Sequence, residues 1–149
     1  MHKGARAALF AVGMLVSTAS LGQAAPDFGN DRIVAAREAL RKGDRNTLER
    51  LALGPSRHPL DPYVRYWRLF NVLARPETPP ASELEAFLAQ EAGSMLSERL
   101  RADWLRRMAS DGDWASFLAL FPGLLNPDRD LRCTAWTAHL MSGNRAVLD

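Results

Sequence analysis

Residues 99–122 read RLRADWLRRMASDGDWASFLALFP, and the reading of this stretch decides the fold. Trp104 and Trp114 stand on either side of Asp111-Gly112-Asp113, inside a dense field of charges. One reading is an aromatic platform edged with arginine; the other is two helices folding back on each other. Leu96, Leu100, Trp104, Leu105 and Met108 recur at helical spacing, as do Trp114, Phe117, Leu118 and Phe121. Gly112 suits the left-handed end of one helix, and Asp113 suits the N-cap of the next. The stretch therefore reads as a helix hairpin, with both tryptophans on buried stripes. Asp103, placed four residues from Arg99 and from Arg107, is expected to pair with them on a solvated face.

Working outward, the same signature repeats. Gly43-Asp44 and Gly143-Asn144 combine a C-terminal glycine with a capping side chain, and Gly93-Ser94 allows one helix to stop and the next to start at once. Asp61-Pro62 and Asn126-Pro127 each offer an N-cap followed by proline at the first helical position. Ser82-Glu83-Leu84-Glu85 has capping-box spacing. Arg75 to Pro80, RPETPP, must interrupt a helix. Turns thus fall near residues 43, 77, 112 and 143, spaced 31–35 residues apart.

Apolar stripes fill the intervals. Ile33, Ala36, Arg37 and Leu40 mark the first, Arg37 through its aliphatic stem, and Leu48, Leu51 and Ala52 the second. Tyr63, Tyr66, Trp67, Phe70, Leu73 and Ala74 form a broad face over three turns, expected to be core. Leu84, Phe87 and Leu88 follow, and the last stripe holds Leu131, Cys133, Ala135, Trp136, Leu140 and Met141. No stretch alternates over strand length. The expected fold is all-α: an α-superhelix, or solenoid, of antiparallel helix hairpins with a TPR-like period of about 31–35 residues.

Residues 1–24 stand apart. Lys3 and Arg6 precede an uncharged run from Ala7 to Val16, and Gly22-Gln23-Ala24 supplies a small-x-small site. This is the pattern of a secretory signal peptide cut after Ala24, so residues 25–149 are expected to be exported to the periplasm without stable membrane insertion. The whole chain carries 19 Lys+Arg and 17 Asp+Glu, and removing Lys3 and Arg6 leaves 17 of each. A net charge of zero gives no support to nucleic-acid binding. The lone Cys133 cannot make an internal disulfide and is expected to be a small buried side chain. Asn144 reads as the start of a helix with barely one turn after it, so residues 25–149 are expected to be the N-terminal part of a helical domain truncated at its C-terminus.

Motifs for chemistry are absent from the sequence. It contains no GxGxxG, P-loop, HExxH, CxxC or GxSxG. His58 falls in a Pro-rich loop and is expected to be solvated; His139 has no second ligand three or four residues away. Capping accounts for Asp111 and Asp113. Trp67, Trp104 and Trp114 read as core, and Trp136 as partly exposed. Catalytic, cofactor-binding and metal-ligating residues are therefore expected to be none.

The ordered segments resemble a known family. Asp61-Pro-Tyr-Val-Arg-Tyr-Trp-Arg-Leu69 is similar to the hPYLEYWRL segment in the N-terminal superhelical region of soluble lytic transglycosylases. Phe87-Leu88, then Arg99-Leu-Arg-Ala-Asp-Trp-Leu105, then Gly112-Asp-Trp-Ala-Ser-Phe-Leu118 resemble that region's further progression. Leu131-Arg-Cys133 resembles its last segment, with Thr134 in place of the usual aromatic. The resemblance implies a periplasmic enzyme family that cleaves the β-1,4 bond between N-acetylmuramic acid and N-acetylglucosamine in peptidoglycan and leaves a 1,6-anhydro end. It implies one catalytic glutamate and no metal, in a C-terminal lysozyme-like domain marked by Glu-Ser and Gly-Leu-Met-Gln. Neither motif occurs in this sequence, so no catalytic residue carries over and the chain alone is expected to be inactive. The implied partners are glycan strands and that catalytic domain. The alternative expectation is a periplasmic helical-repeat adaptor for other proteins.

Overall fold

A computed structural model describes residues 29–54 and 57–143. The expected signal peptide, its cleavage site and the helix start at Asn144 lie outside the described residues. Among those described, seven α-helices and one 3-10 turn account for all regular structure: α1 (Asn30–Lys42), α2 (Arg45–Leu53), α3 (Asp61–Leu73), α4 (Ala81–Gln90), α5 (Met95–Asp111), α6 (Trp114–Leu120) and α7 (Arg129–Met141), with the 3-10 turn at Phe121–Gly123. The all-α expectation holds.

The glycine–cap turns form as read. Gly43 and Gly112 sit at φ 68° and 75°, in the left-handed region that only glycine enters cheaply. At each, the next amide reaches back to a carbonyl of the last turn, Asp44 N–H to Ala39 at 2.8 Å and Asp113 N–H to Met108 at 2.9 Å. The following carboxylate then caps the new helix, Asp44 accepting from Thr47 N–H at 3.1 Å and Asp113 from Ser116 N–H at 3.2 Å. Ser94 likewise accepts from Ser97 N–H at 3.1 Å.

Three expected caps are displaced. Helix α4 starts at Ala81 behind Pro80, which places Ser82 inside the first turn without a capping bond. Helix α7 is capped by Asp128, whose carboxylate accepts from Leu131 N–H at 2.8 Å, not by Asn126. Asp61 is the first residue of α3 and its carboxylate is engaged by Arg32.

Consecutive helices pack on each other from α1 to α3 and from α4 to α7, and α1 also packs on α3, α3 on α5 and α5 on α7. The interior falls into two clusters. Ile33, Ala36, Ala39, Leu48, Ala52 and Val64 form the N-terminal one. The larger one runs from Leu69 and Leu73 through Phe87, Leu100, Trp104 and Phe117 to Leu131 and Ala138. Helix α3 contributes to both. Arg68 ties α3 to α2 through Glu49 at 2.7 Å and to α4 through Glu83.

Candidate functional site

The broad aromatic stripe of α3 is not its core face. The buried residues of α3 are Val64, Leu69, Val72 and Leu73. At 100° per residue, Val64, Leu69 and Val72 lie on the far side of the helix from Tyr63, Tyr66, Trp67 and Phe70. Accordingly Tyr63, Tyr66 and Trp67 are only half-buried, and Phe70 and Ala74 are exposed. The aromatic residues lie along the seam between the two clusters: Tyr63 and Tyr66 touch the larger, Trp67 the smaller. The Tyr63 and Trp67 rings are 6.1 Å apart and tilted by 58°.

Over this seam lies a groove of about 420 Å³ between α1, α3 and α5. Its lining is Ile33 and Arg37 from α1, Leu60 before α3, Tyr63, Tyr66 and Trp67 from α3, and Leu96 and Arg99 from α5. Arg37 and Arg99 are exposed, and among the described residues neither has a hydrogen-bond or ion-pair partner. The expected pairs of Asp103 with Arg99 and Arg107 do not form. Asp103 instead pairs with Arg106 at 3.2 Å and accepts the Tyr66 hydroxyl at 3.1 Å. Arg107 turns away to Asp111 at 2.7 Å and to backbone carbonyls at and just after the end of α3.

Burial and the neighbouring Asp103 carboxylate push the Tyr66 phenol up to about 12. At neutral pH it is a fixed hydrogen-bond donor and not a base. The groove therefore offers flat apolar rings, hydroxyl groups and two cationic forks, which is the chemistry of binding.

The aromatic–arginine combination considered for residues 99–122 thus exists, but on other partners. Trp104 is buried as expected, whereas Trp114 is only half-buried against the larger cluster. The platform is built from α3 rings and an arginine of that stretch, Arg99. The signal in the sequence was the width of the α3 stripe: aromatic residues at i, i+3, i+4 and i+7, with Val64, Leu69 and Val72 forming a second apolar face behind them.

A second surface lies on α7. Its buried residues are Leu131, Ala135 and Ala138, whereas Cys133, Trp136 and Leu140 project from the opposite side. Cys133 is exposed, which corrects its expected burial: the last stripe merges two faces of one helix. Trp136 is 64 % exposed and, with Cys133, His139 and Phe121, lines a shallow groove of about 370 Å³. His58 is not simply solvated; its Nε2 lies 3.0 Å from the Asn30 side chain and its Nδ1 accepts from Leu60 N–H at 3.1 Å. In searches against protein-family models, curated proteins and solved structures, no match to this chain was found.

Proposed function

We propose that this chain is a non-catalytic helical scaffold region of an exported lytic transglycosylase, the family whose superhelical segment its sequence resembles. In this reading residues 1–24 direct export to the periplasm. The enzyme cleaves the bond between N-acetylmuramic acid and N-acetylglucosamine through a catalytic domain carried elsewhere in the protein. The scaffold positions that domain and the glycan strand.

The observation that supports the reading best is the helix register. Helices α1, α3, α5 and α7 start at residues 30, 61, 95 and 129, intervals of 31, 34 and 34. Each packs on the next, and α2, α4 and α6 connect them. That is the neighbour pattern expected of helix pairs stacked into a superhelix. The segments that carry the family resemblance fall on α3 to α7 in order. The exposed Trp136 and Leu140 on α7 supply a face on which a further helix pair could continue such a stack.

The competing reading is a periplasmic helical-repeat adaptor, which the unpaired arginines over the aromatic seam also suit. The coding DNA downstream of Asp149, translated in all three frames, separates the two. A Glu-Ser and a Gly-Leu-Met-Gln motif are expected there; a stop followed by an unrelated gene would favour the adaptor. Purified chain incubated with murein is expected to release no anhydro-muropeptides detectable by mass spectrometry, and clear product would overturn the non-catalytic role.

A further inference from the structure

We infer that the groove between α1, α3 and α5 is a binding site for an acidic peptide segment, with an apolar side chain on the Tyr63 and Trp67 rings and carboxylates at Arg37 and Arg99. The inference does not depend on the transglycosylase reading.

Charge carries the first part of the argument. Two guanidinium groups from different helices line one groove, and neither has a carboxylate partner among the described residues. Asp103, the acid one helical turn on from Arg99, is held by Tyr66 and Arg106. Other arginines near the seam are committed: Arg32 to Asp61, Arg65 to Glu91 and Arg68 to Glu49 and Glu83. Arg37 and Arg99 keep their forks open to solvent, where a carboxylate can take both N–H groups of one fork in parallel bonds.

The lining distinguishes peptide from sugar. Half-buried rings would serve either ligand, through stacking on a sugar or contact with an apolar side chain. A neutral glycan also presents adjacent hydroxyls, each needing an acceptor as well as a donor. Among the described residues the groove is lined by no carboxylate and no amide side chain, which leaves the tyrosine hydroxyls as its side-chain acceptors. An acidic peptide needs the reverse: donors for its carboxylates and an apolar seat between them. The lining provides both.

The test uses the full chain after signal removal and fluorescein-labelled heptapeptides, each with one leucine or phenylalanine flanked by Asp or Glu at varied spacing. Their Asn and Gln counterparts and a tetramer of N-acetylglucosamine serve as comparison ligands. Some acidic peptide is expected to bind at least tenfold more tightly than its amide counterpart, with affinity falling as salt rises. R37Q and R99Q are each expected to weaken it about tenfold. Both side chains are exposed and unpartnered, so the variants should keep the wild-type circular dichroism and melting temperature. The charge-reversed pair R37E/R99E is expected to shift preference to lysine-containing peptides. Equal affinity for acidic and amide peptides, binding unchanged in R37Q/R99Q, or tetrasaccharide binding that these substitutions abolish would each overturn the assignment.

Discussion

The two halves of the interior achieve the same packing by opposite means. Around α1, α2 and the start of α3, half of the buried residues are alanines: Ala36, Ala39 and Ala52 with Ile33, Leu48 and Val64. Small side chains let helix backbones approach closely and leave little room for anything larger. From the end of α3 through α7, the core is built mainly on large side chains, among them Leu84, Phe87, Leu100, Trp104, Leu105 and Phe117, which fill the space between the helices. The N-terminal half should therefore fail when a side chain grows, and the C-terminal half when one shrinks.

Paired substitutions break this contrast most directly. Phe117 is fully buried, and its ring stacks on Phe121 at 5.6 Å. Phe117→Ala is expected to cost about 3–5 kcal/mol in urea unfolding, from lost burial and the cavity left behind. Ala36, also fully buried, gains nothing from bulk, and Ala36→Leu is expected to cost about 1–3 kcal/mol by overpacking. A stabilising Ala36→Leu would mean that the N-terminal helices are not closely packed.

Each half also has one largely buried arginine that secures the end of a helix. Arg32 donates to the carbonyls of Leu51 at 2.8 Å and Gly54 at 3.4 Å, at the end of α2, and pairs with Asp61 at the start of α3. Arg107 donates to the carbonyls of Leu73 at 2.9 Å, Pro76 and Glu77 at 3.2 Å, and Arg75, and so holds the chain where α3 gives way to the proline-rich loop. Both place a cation against the negative end of a helix. Arg32→Ala and Arg107→Ala are each expected to cost about 1.5–3 kcal/mol, the range for hydrogen bonds to a charged donor. Arg107→Lys should rescue little, because one ammonium cannot reach four carbonyls as a fork does. Full rescue by lysine would reduce the role of Arg107 to its charge.

The smaller effects concern how far these features could be read in the sequence. Asp113→Ala should cost about 1 kcal/mol, whereas Ser82→Ala should be nearly neutral. Both residues carry the same capping signal, but only Asp113 caps a helix. The glycine-anchored turns were legible because Gly43 and Gly112 fix the chain locally and the next residue has one role available. Ser82 misleads because Pro80, with its fixed φ, starts the helix two residues sooner. Long-range partners were not legible at all. Asp61 has the composition of a cap, yet it lies against Arg32, and nothing local announces a partner 29 residues away. The same limit applies to the groove. The α3 stripe shows that aromatic residues share a face, but which of two apolar faces meets the core depends on where α1 and α5 pack. Cys133 was misplaced for the same reason, since an apolar list without an angle cannot separate Leu131 from Trp136.

The seam itself gives the subtlest test, because Tyr66 joins α3 to α5 through Asp103. Its phenol is held at about 12, above the ordinary value of 10.0 that it regains on unfolding. Between these two values the folded chain retains a proton that the unfolded chain has lost. The stabilisation is thus complete below pH 10 and is lost as pH rises toward 12. The melting temperature should fall more steeply across that window in the wild type than in Tyr66→Phe, which cannot titrate there. Absorbance near 295 nm should show a late phenolate step that the variant lacks. Equal alkaline slopes in the two proteins would mean that the bond to Asp103 does not hold α3 to α5, and the groove would lose the fixed wall that its arginines and rings share.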